Sequence, residues 1–320
     1  MSQSLVTRFA PSPTGFLHKG HALSAMLAHR RARQANGLFR LRIEDIDSTR
    51  CRPAYGDAII EDLTWLGLIW DGPVERQSDH PDRFAHALAR LRERDVVYPC
   101  FCTRKTIQQE VERSVRAPHG PEGPLYPGTC RALDPASRAA CLAEGHPHAW
   151  RLDVRRALNS LNAPLPPWHD ELHGSQPARP DLLGDVVVAR KDIATSYHLA
   201  VVVDDAAQNV THVVRGEDLW HATHVHVLLQ ALLGLPQPVY HHHGLMTDAA
   251  GRRFAKRDRS ATLKALREAG TDPAALLADL AASPVARQSG NVPPEGVPSG
   301  DVPSGDVPSE GAPSGGVGRA

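Results

Sequence analysis

The run from Thr7 to His21 constrains the fold more tightly than any other part of the chain. Leu5, Val6, Phe9 and Ala10 read as the end of a short buried strand. Ala22, Leu23, Met26, Leu27 and Arg30 then follow helical spacing, apolar on one side. Between strand and helix lies a turn holding Pro11, Pro13, Gly15, His18, Gly20 and His21. A strand–turn–helix unit with small residues at its turn leaves free backbone N–H groups and the positive end of a helix where an anion can sit. His18 and His21, three apart, share a helix face or its lead-in and aim at that anion. Gly15 and Gly20 have the spacing of a P-loop, but His21 and Ala22 stand where its lysine and hydroxyl residue belong, so that reading fails.

Downstream, β-α alternation continues. Leu38–Leu41 predicts a second strand; Ile59, Leu63 and Leu66, with Gly67 near the end, predict a helix; Phe84, Leu88 and Leu91 predict another. The pattern implies a doubly wound, parallel α/β sheet of the Rossmann type, with residues 1–98 as its first half. Acidic residues past the second strand would face the ligand crevice of such a sheet. There Glu44 can accept from an ammonium, Asp47 and Arg50 can pair, and Asp45 reads as structural.

The pattern changes at Tyr98. Cys100, Cys102 and Cys130 sit in a loop-like, Pro- and Gly-rich stretch, and three thiols so spaced suit one tetrahedral structural Zn²⁺. Tyr126 and His119 are the candidates for a fourth ligand, and plain coordination chemistry prefers the imidazole. Cys51 and Cys141 lie apart and read as inert. Residues 99–184 are expected to form an insertion, with 151–154 as an edge strand. Three Val-rich runs follow, at 185–189, 199–203 and 210–214. Unbroken runs fit strands covered on both faces; the second and third are assigned to the other half of the fold, 185–283, and the first is compatible with the insertion. Arg215 at a strand's carboxyl end can grip a carboxylate bidentately with help from Tyr197, or simply pair with Glu217 or Asp218; chemistry alone leaves these even. A helix is expected over 219–233, stopped by Gly234 and Pro236. His221, His224, His226 and the run 241–243 read as core or surface histidines, because no carboxylate or thiol completes a metal site by spacing. From Arg252 to Arg259, five of eight residues are basic, either a solvated run or a phosphate-binding loop. Short helices are expected over 262–269 and 273–280. Residues 284–320, rich in Pro, Gly and Ser and nearly free of large apolar side chains, are expected to be disordered.

The balance of 36 basic and 36 acidic residues in 320 excludes a global field for nucleic acid, so an RNA partner would need a local basic patch. Five unevenly spaced cysteines suit reduced thiols and metal better than a disulfide framework. No secretory pattern opens the chain and no run approaches membrane-spanning length, so the expected compartment is the cytoplasm, with no membrane partner and a monomer as the default.

The string from Phe9 to Gly15 with His18-Lys19-Gly20-His21 closely resembles the ATP-binding signature of class I aminoacyl-tRNA synthetases of the glutamyl type. Arg42 to Arg50 resembles their Arg-x-Glu-Asp-x-Asp-x-x-Arg segment, and the contexts of Tyr197 and Arg215 resemble their amino-acid site. The resemblance implies a glutamate site of Arg8, Phe9, Ala10, Pro11, Ser12, Glu44, Tyr197 and Arg215. It implies ATP, with Mg²⁺, at His18, Gly20, His21 and Lys256, of which His18, His21 and Lys256 would be catalytic. Lys256 and Arg253 hold the two cationic positions of the second class I signature loop, with Arg253 and Phe254-Ala255 departing from its usual residues. Cys100-x-Cys102 followed by Tyr126-x-x-x-Cys130 resembles the zinc site of short glutamyl-synthetase-like proteins, which favours Tyr126 as fourth ligand. That site, and a folded chain expected to end just after the ATP loop without a helical anticodon-binding domain, is similar to the glutamyl-queuosine tRNA(Asp) synthetase family. The implied partners are ATP, L-glutamate and tRNA(Asp) carrying queuosine. A shortened glutamyl-tRNA synthetase charging tRNA(Glu), or a non-catalytic zinc-stabilised RNA-binding paralogue, are the rival expectations.

Overall fold

The computed structural model describes residues 4–113, 119–121, 123–246 and 262–290. Strand β1 (Val6–Phe9) is buried along its whole length and leads through the turn into α1 (Lys19–Gln34). The small side chains Ala22, Ala25 and Ala28 on α1 are fully buried, which lets the helix lie close on the sheet; Thr7 Oγ1 donates to Ala28 O at 2.8 Å. Then come β2 (Leu38–Ile43), parallel to β1 with Val6 opposite Leu38, α2 (Pro53–Trp65), β3 (Glu75–Arg76), parallel to β2, and α3 (Pro81–Glu93). Proline opens both α2 and α3 at the first turn, where its missing N–H costs nothing.

Strand β4 (Val97–Cys100) leaves this sheet. It precedes α4 (Arg104–Arg113), the ribbon β5 (His119–Gly120) and β6 (Gly123–Pro124), α5 (Pro135–Ala143), β7 (Ala149–Leu152) and α6 (Val154–Asn159). Next are β8 (Trp168–Asp170), β9 (Gly174–Gln176), β10 (Val187–Ala189), α7 (Tyr197–Ala207), β11 (His212–Gly216), α8 (Trp220–Leu233) and β12 (Val239–His243). Gly234 ends α8 in the left-handed conformation at φ 60°, as a glycine can without a Cβ clash. The last described elements are α9 (Leu263–Glu268), α10 (Pro273–Ala281) and α11 (Pro284–Gly290).

Two parallel arrays, β3-β2-β1 and β11-β12-β8 with β9 added antiparallel, meet at β1 and β11, where Thr211 N–H donates to Val6 O at 3.0 Å. Strand order therefore reverses between β1 and β11, and the crevice outside their carboxyl ends is where such sheets hold ligands.

Four sequence expectations change. The run Leu199–Val203 is helix, the middle of α7, and every residue from Leu199 to Asp205 is buried. A helix covered on all sides carries no apolar stripe, so its periodicity cannot be told from that of a covered strand. Arg151-Leu152 lies in β7, the central strand of the antiparallel sheet β10-β7-β4, not at an edge. The first Val-rich run supplies β10 to that same sheet. Trp168–Asp170, expected within the insertion, instead extends the parallel array beside β12, with Asp170 opposite Tyr240. Finally, order continues past residue 283: α11 buries Ala286, and Val285 packs on the core. Residues 291–320 lie outside the described residues. No helix among the described residues is long and apolar enough to cross a membrane.

Candidate active site

The eight residues named for glutamate line one cavity of about 360 Å³ at the carboxyl ends of β1 and β11. Arg8, Phe9, Ala10, Pro11 and Ser12 come from β1 and the turn after it, Glu44 from just past β2, Tyr197 from the start of α7, and Arg215 from β11. Helical geometry explains the contribution of α7. Tyr197, Val201, Asp205 and Gln208 fall on one face at spacings of three and four.

That face anchors a buried charge network. Asp205 accepts from Arg8 Nε at 3.0 Å and pairs with Arg42 Nη1 at 2.8 Å. Arg42 also donates to Gln208 Oε1 at 2.7 Å and to Glu44 Oε1 at 3.1 Å. Burial works against ionisation of Asp205, yet Arg8 and Arg42 hold its carboxyl below the usual range. For Glu44 burial wins: its carboxyl is pushed up, with Arg42 and Arg8 pulling against the shift. A substrate ammonium beside Glu44 would favour the ionised form.

Arg215 is held differently. Its Nε donates to His242 Nε2 at 3.0 Å and its Nη2 to Thr223 Oγ1 at 2.7 Å, while Nη1 reaches Tyr197 Oη and His226 Nδ1, each at 3.3 Å. Among the described residues no carboxylate pairs with it, so the expected alternative of a partner in Glu217 or Asp218 does not hold. His242 owes its acceptor role to Asp170, whose Oδ2 lies 2.8 Å from Nδ1 and fixes the proton there. Burial, reinforced by Arg215 and opposed by Asp170, holds this imidazole down at about 4. Asp170, His242, Thr223, Arg42 and Asp205 are the positioning residues that sequence reasoning did not assign. The run 241–243 was a visible signal for His242; nothing in the sequence marks Asp170 as its partner.

A second cavity of about 350 Å³ adjoins the first, with His21, Ser24 and Gly216 in both walls. His18 caps α1: its Nδ1 accepts from Gly20 N–H at 3.2 Å, and His21 Nδ1 accepts from His18 N–H at 3.2 Å. With each Nδ1 an acceptor, each neutral ring carries its proton on Nε2, a donor suited to phosphate oxygen. A Cβ on Gly20 would come 3.1 Å from the His18 ring, so the ring that caps the helix would have to give way. Ser24 Oγ lies 2.8 Å from His243 Nε2 at the seam of the two cavities. Met246 lines the second cavity, and Thr262 forms a backbone bridge to His18, with Leu263 N–H donating to Leu17 O at 2.8 Å. Lys256 and Arg253 lie outside the described residues.

The three cysteine sulfurs, Cys100, Cys102 and Cys130, lie within 4.8 Å of one another and could hold a metal ion. Tyr126 Oη stands 3.4 Å from Cys100 Sγ and 3.5 Å from Cys102 Sγ, and Cys102 and Cys130 Sγ are 3.4 Å apart. Bonds of about 2.3 Å to sulfur and about 2.0 Å to oxygen at tetrahedral angles need separations of roughly 3.8 and 3.5 Å. The donor set therefore fits a zinc-sized ion with small adjustment. The Arg151 guanidinium covers the Tyr126 ring, its Cζ 3.9 Å from the centroid. The side chain of His119, the rival ligand, lies outside what the structure describes.

A sequence model of the family described as tRNA synthetases class I (E and Q), catalytic domain, matches residues 4–289. Fold and site together thus define a class I synthetase catalytic domain. The chain is 49% identical over 278 residues to the glutamyl-Q tRNA(Asp) synthetase of Rhodobacter capsulatus, covering 84% of this chain and 97% of that protein. It is 45% identical over 271 residues to the protein of the same name from Nocardia farcinica, covering 85% and 82%. Among solved structures, a glutamate tRNA ligase from Elizabethkingia meningosepticum in complex with its amino acid aligns with a TM-score of 0.66 at 29% identity; the match covers 80% of this chain and 52% of the ligase, about half its length. The chain belongs to the class I tRNA synthetase E and Q family, on the branch of the glutamyl-Q tRNA(Asp) synthetases.

Proposed function

We propose that the chain activates L-glutamate with ATP and transfers the glutamyl group to the queuosine base at the wobble position of tRNA(Asp). The observation that carries this reading is a single cavity holding an arginine without a carboxylate partner among the described residues, Arg215, together with a buried carboxylate whose ionised form burial disfavours, Glu44, beside a histidine-capped helix N-terminus. A dicarboxylic amino acid supplies the missing groups. One substrate carboxylate accepts from Arg215 Nη1 in place of its long contact to Tyr197 Oη at 3.3 Å, Arg8 favours the other, and the ammonium sits by Glu44. ATP phosphates meet the Nε2–H groups of His18 and His21 and the backbone of Gly20. Mg²⁺ carried with ATP would withdraw charge from the phosphates. The substrate α-carboxylate attacks the α-phosphorus, the bond to the bridging oxygen of pyrophosphate breaks, and glutamyl-adenylate forms. A queuosine cyclopentenediol hydroxyl then attacks the carbonyl, loses its proton and expels AMP. Lys256 supplies a cation for the charge developing on the leaving pyrophosphate. No side chain need be a covalent nucleophile, since positioning and electrostatics suffice.

The test is transfer of labelled glutamate, with ATP, to tRNA(Asp) carrying queuosine, tRNA(Asp) lacking it, and tRNA(Glu). Label on the first alone is expected. Label on tRNA(Glu) would make this a charging enzyme; no label and no pyrophosphate exchange would favour the binding-protein alternative.

In the same reading Cys100, Cys102, Cys130 and Tyr126 bind one structural Zn²⁺, with thiols kept reduced in the cytoplasm. Tyr126→Phe retains the ring under Arg151 and removes only the oxygen. It is expected to weaken zinc binding by about 10–100-fold or more in chelator competition. Unchanged affinity would assign the fourth position to another group.

A further inference from the structure

A third cavity, of about 860 Å³, opens between the cysteine cluster and the glutamate cavity, and the two meet at Tyr197, which lines both. Its volume is within the range that encloses a ligand of nucleoside size. Its walls combine the Cys100–Cys102 turn, Tyr126 and the start of α7.

Two of its features point to a ligand. The first is charge. Arg104 and Lys191 both stand in its wall, one opening α4 and one after β10. Neither pairs with a carboxylate among the described residues; Lys191 Nζ donates only to Phe101 O, at 2.8 Å. The other cations of the wall are spoken for: Arg190 pairs with Asp47 and Asp192, and Arg151 lies over Tyr126.

The second is a hydrogen-bond chain of fixed direction. Arg215 can only donate, so His226 Nδ1 accepts from it at 3.3 Å. His226 is kept neutral by burial and by the Arg215 charge, so its proton is on Nε2, which meets His198 Nδ1 at 3.3 Å. Burial and Arg215 likewise hold His198 at about 4. Its proton is therefore on Nε2, and His198 lines the large cavity. The guanidinium that faces glutamate thus sets a donor on the neighbouring wall.

We infer that this cavity receives the acceptor nucleoside of the RNA, with His198 Nε2–H donating to an oxygen of that nucleoside and Arg104 and Lys191 taking its flanking phosphates. The inference rests on the transfer reaction proposed above and adds where the RNA enters. The acceptor hydroxyl must come within about 3–3.5 Å of the activated carbonyl, and this cavity reaches the glutamate site with Tyr197 as the shared wall.

The experiment uses the full chain and two readouts: glutamate-dependent ATP–pyrophosphate exchange, which reports activation, and glutamate transfer to queuosine-containing tRNA(Asp) across a salt series. For the double variant Arg104→Ala with Lys191→Ala, exchange is expected to stay within about twofold while KM for the RNA rises about tenfold. The slope of log affinity against log salt should become shallower by about 2, one for each phosphate that the variant no longer neutralises. For His198→Phe, transfer is expected to fall at least tenfold at near-constant KM for glutamate. Unchanged RNA KM and salt slope in the double variant would overturn the assignment, as would a parallel loss of exchange, which would place these residues in activation or folding. Absence of exchange and transfer in the unaltered protein would instead remove the proposed function, and the assignment with it.

Discussion

Alanine in place of Arg215 is expected to lower kcat/KM for glutamate in pyrophosphate exchange by at least 100-fold. The side chain is buried, fully hydrogen-bonded by neutral groups and without a carboxylate partner among the described residues, so its charge has been left for a ligand. Truncating one member of a buried, hydrogen-bonded charge pair costs about 2–5 kcal/mol, and 2.7 kcal/mol is already about 100-fold. Arg215→Lys separates charge from shape. Lysine keeps the cation but cannot donate in a planar fork to His242, Thr223 and a carboxylate at once, so a loss between those of wild type and alanine is expected. A loss under tenfold for alanine would mean that the carboxylate is held elsewhere.

The second large effect is on stability. Asp205→Ala removes the carboxylate that serves both Arg8 and Arg42, leaving two buried guanidinium groups of which only Arg42 keeps a paired carboxylate, Glu44, among the described residues. Removing one partner from a buried ion pair costs roughly 3–5 kcal/mol. In a domain of this size each kcal/mol shifts Tm by about 2–4 °C, so a fall on the order of 10 °C is expected in thermal unfolding. Asp205→Asn retains the shape and some hydrogen bonding and should lose less. A Tm within 2 °C of wild type for the alanine variant would show that the arginines are satisfied without it.

These two residues mark where sequence reasoning reached and where it stopped. Arg215 was legible as a cation at the end of a β-strand, because strand ends in a parallel sheet open on the crevice. Asp205 was not, because its role depends on α7 being a helix. A strand over 199–203 would send alternate residues to opposite faces, and Tyr197 and Asp205 would then have no common surface. Burial on every side erased the stripe that distinguishes the two. The first strand, the turn and α1 were readable because local rules agree there: small residues at the turn, a polar cap and an apolar helix face. The Asp170–His242 contact was hidden for the opposite reason. It joins residues seventy-two positions apart, and only the placement of β8 beside β12 creates it. Cys100, Cys102 and Cys130 announced themselves by spacing, whereas the Arg151 side chain over Tyr126 required knowing that β7 lies in the centre of its sheet.

The short stitch between Leu17-His18 and Thr262-Leu263 has a kinetic meaning. Met246 lines the second cavity and Thr262 bridges to His18 in the same wall, so the two residues that flank 247–261 are brought together when the domain folds. Lys256 is six positions from Thr262, a covalent reach of at most about 20 Å. In the proposed function its ammonium would meet bound ATP as a tethered group, at an effective concentration on the order of millimolar or above. Insertions between 247 and 261 would dilute that group with each added residue, while leaving the glutamate cavity and its affinity for the amino acid as they are.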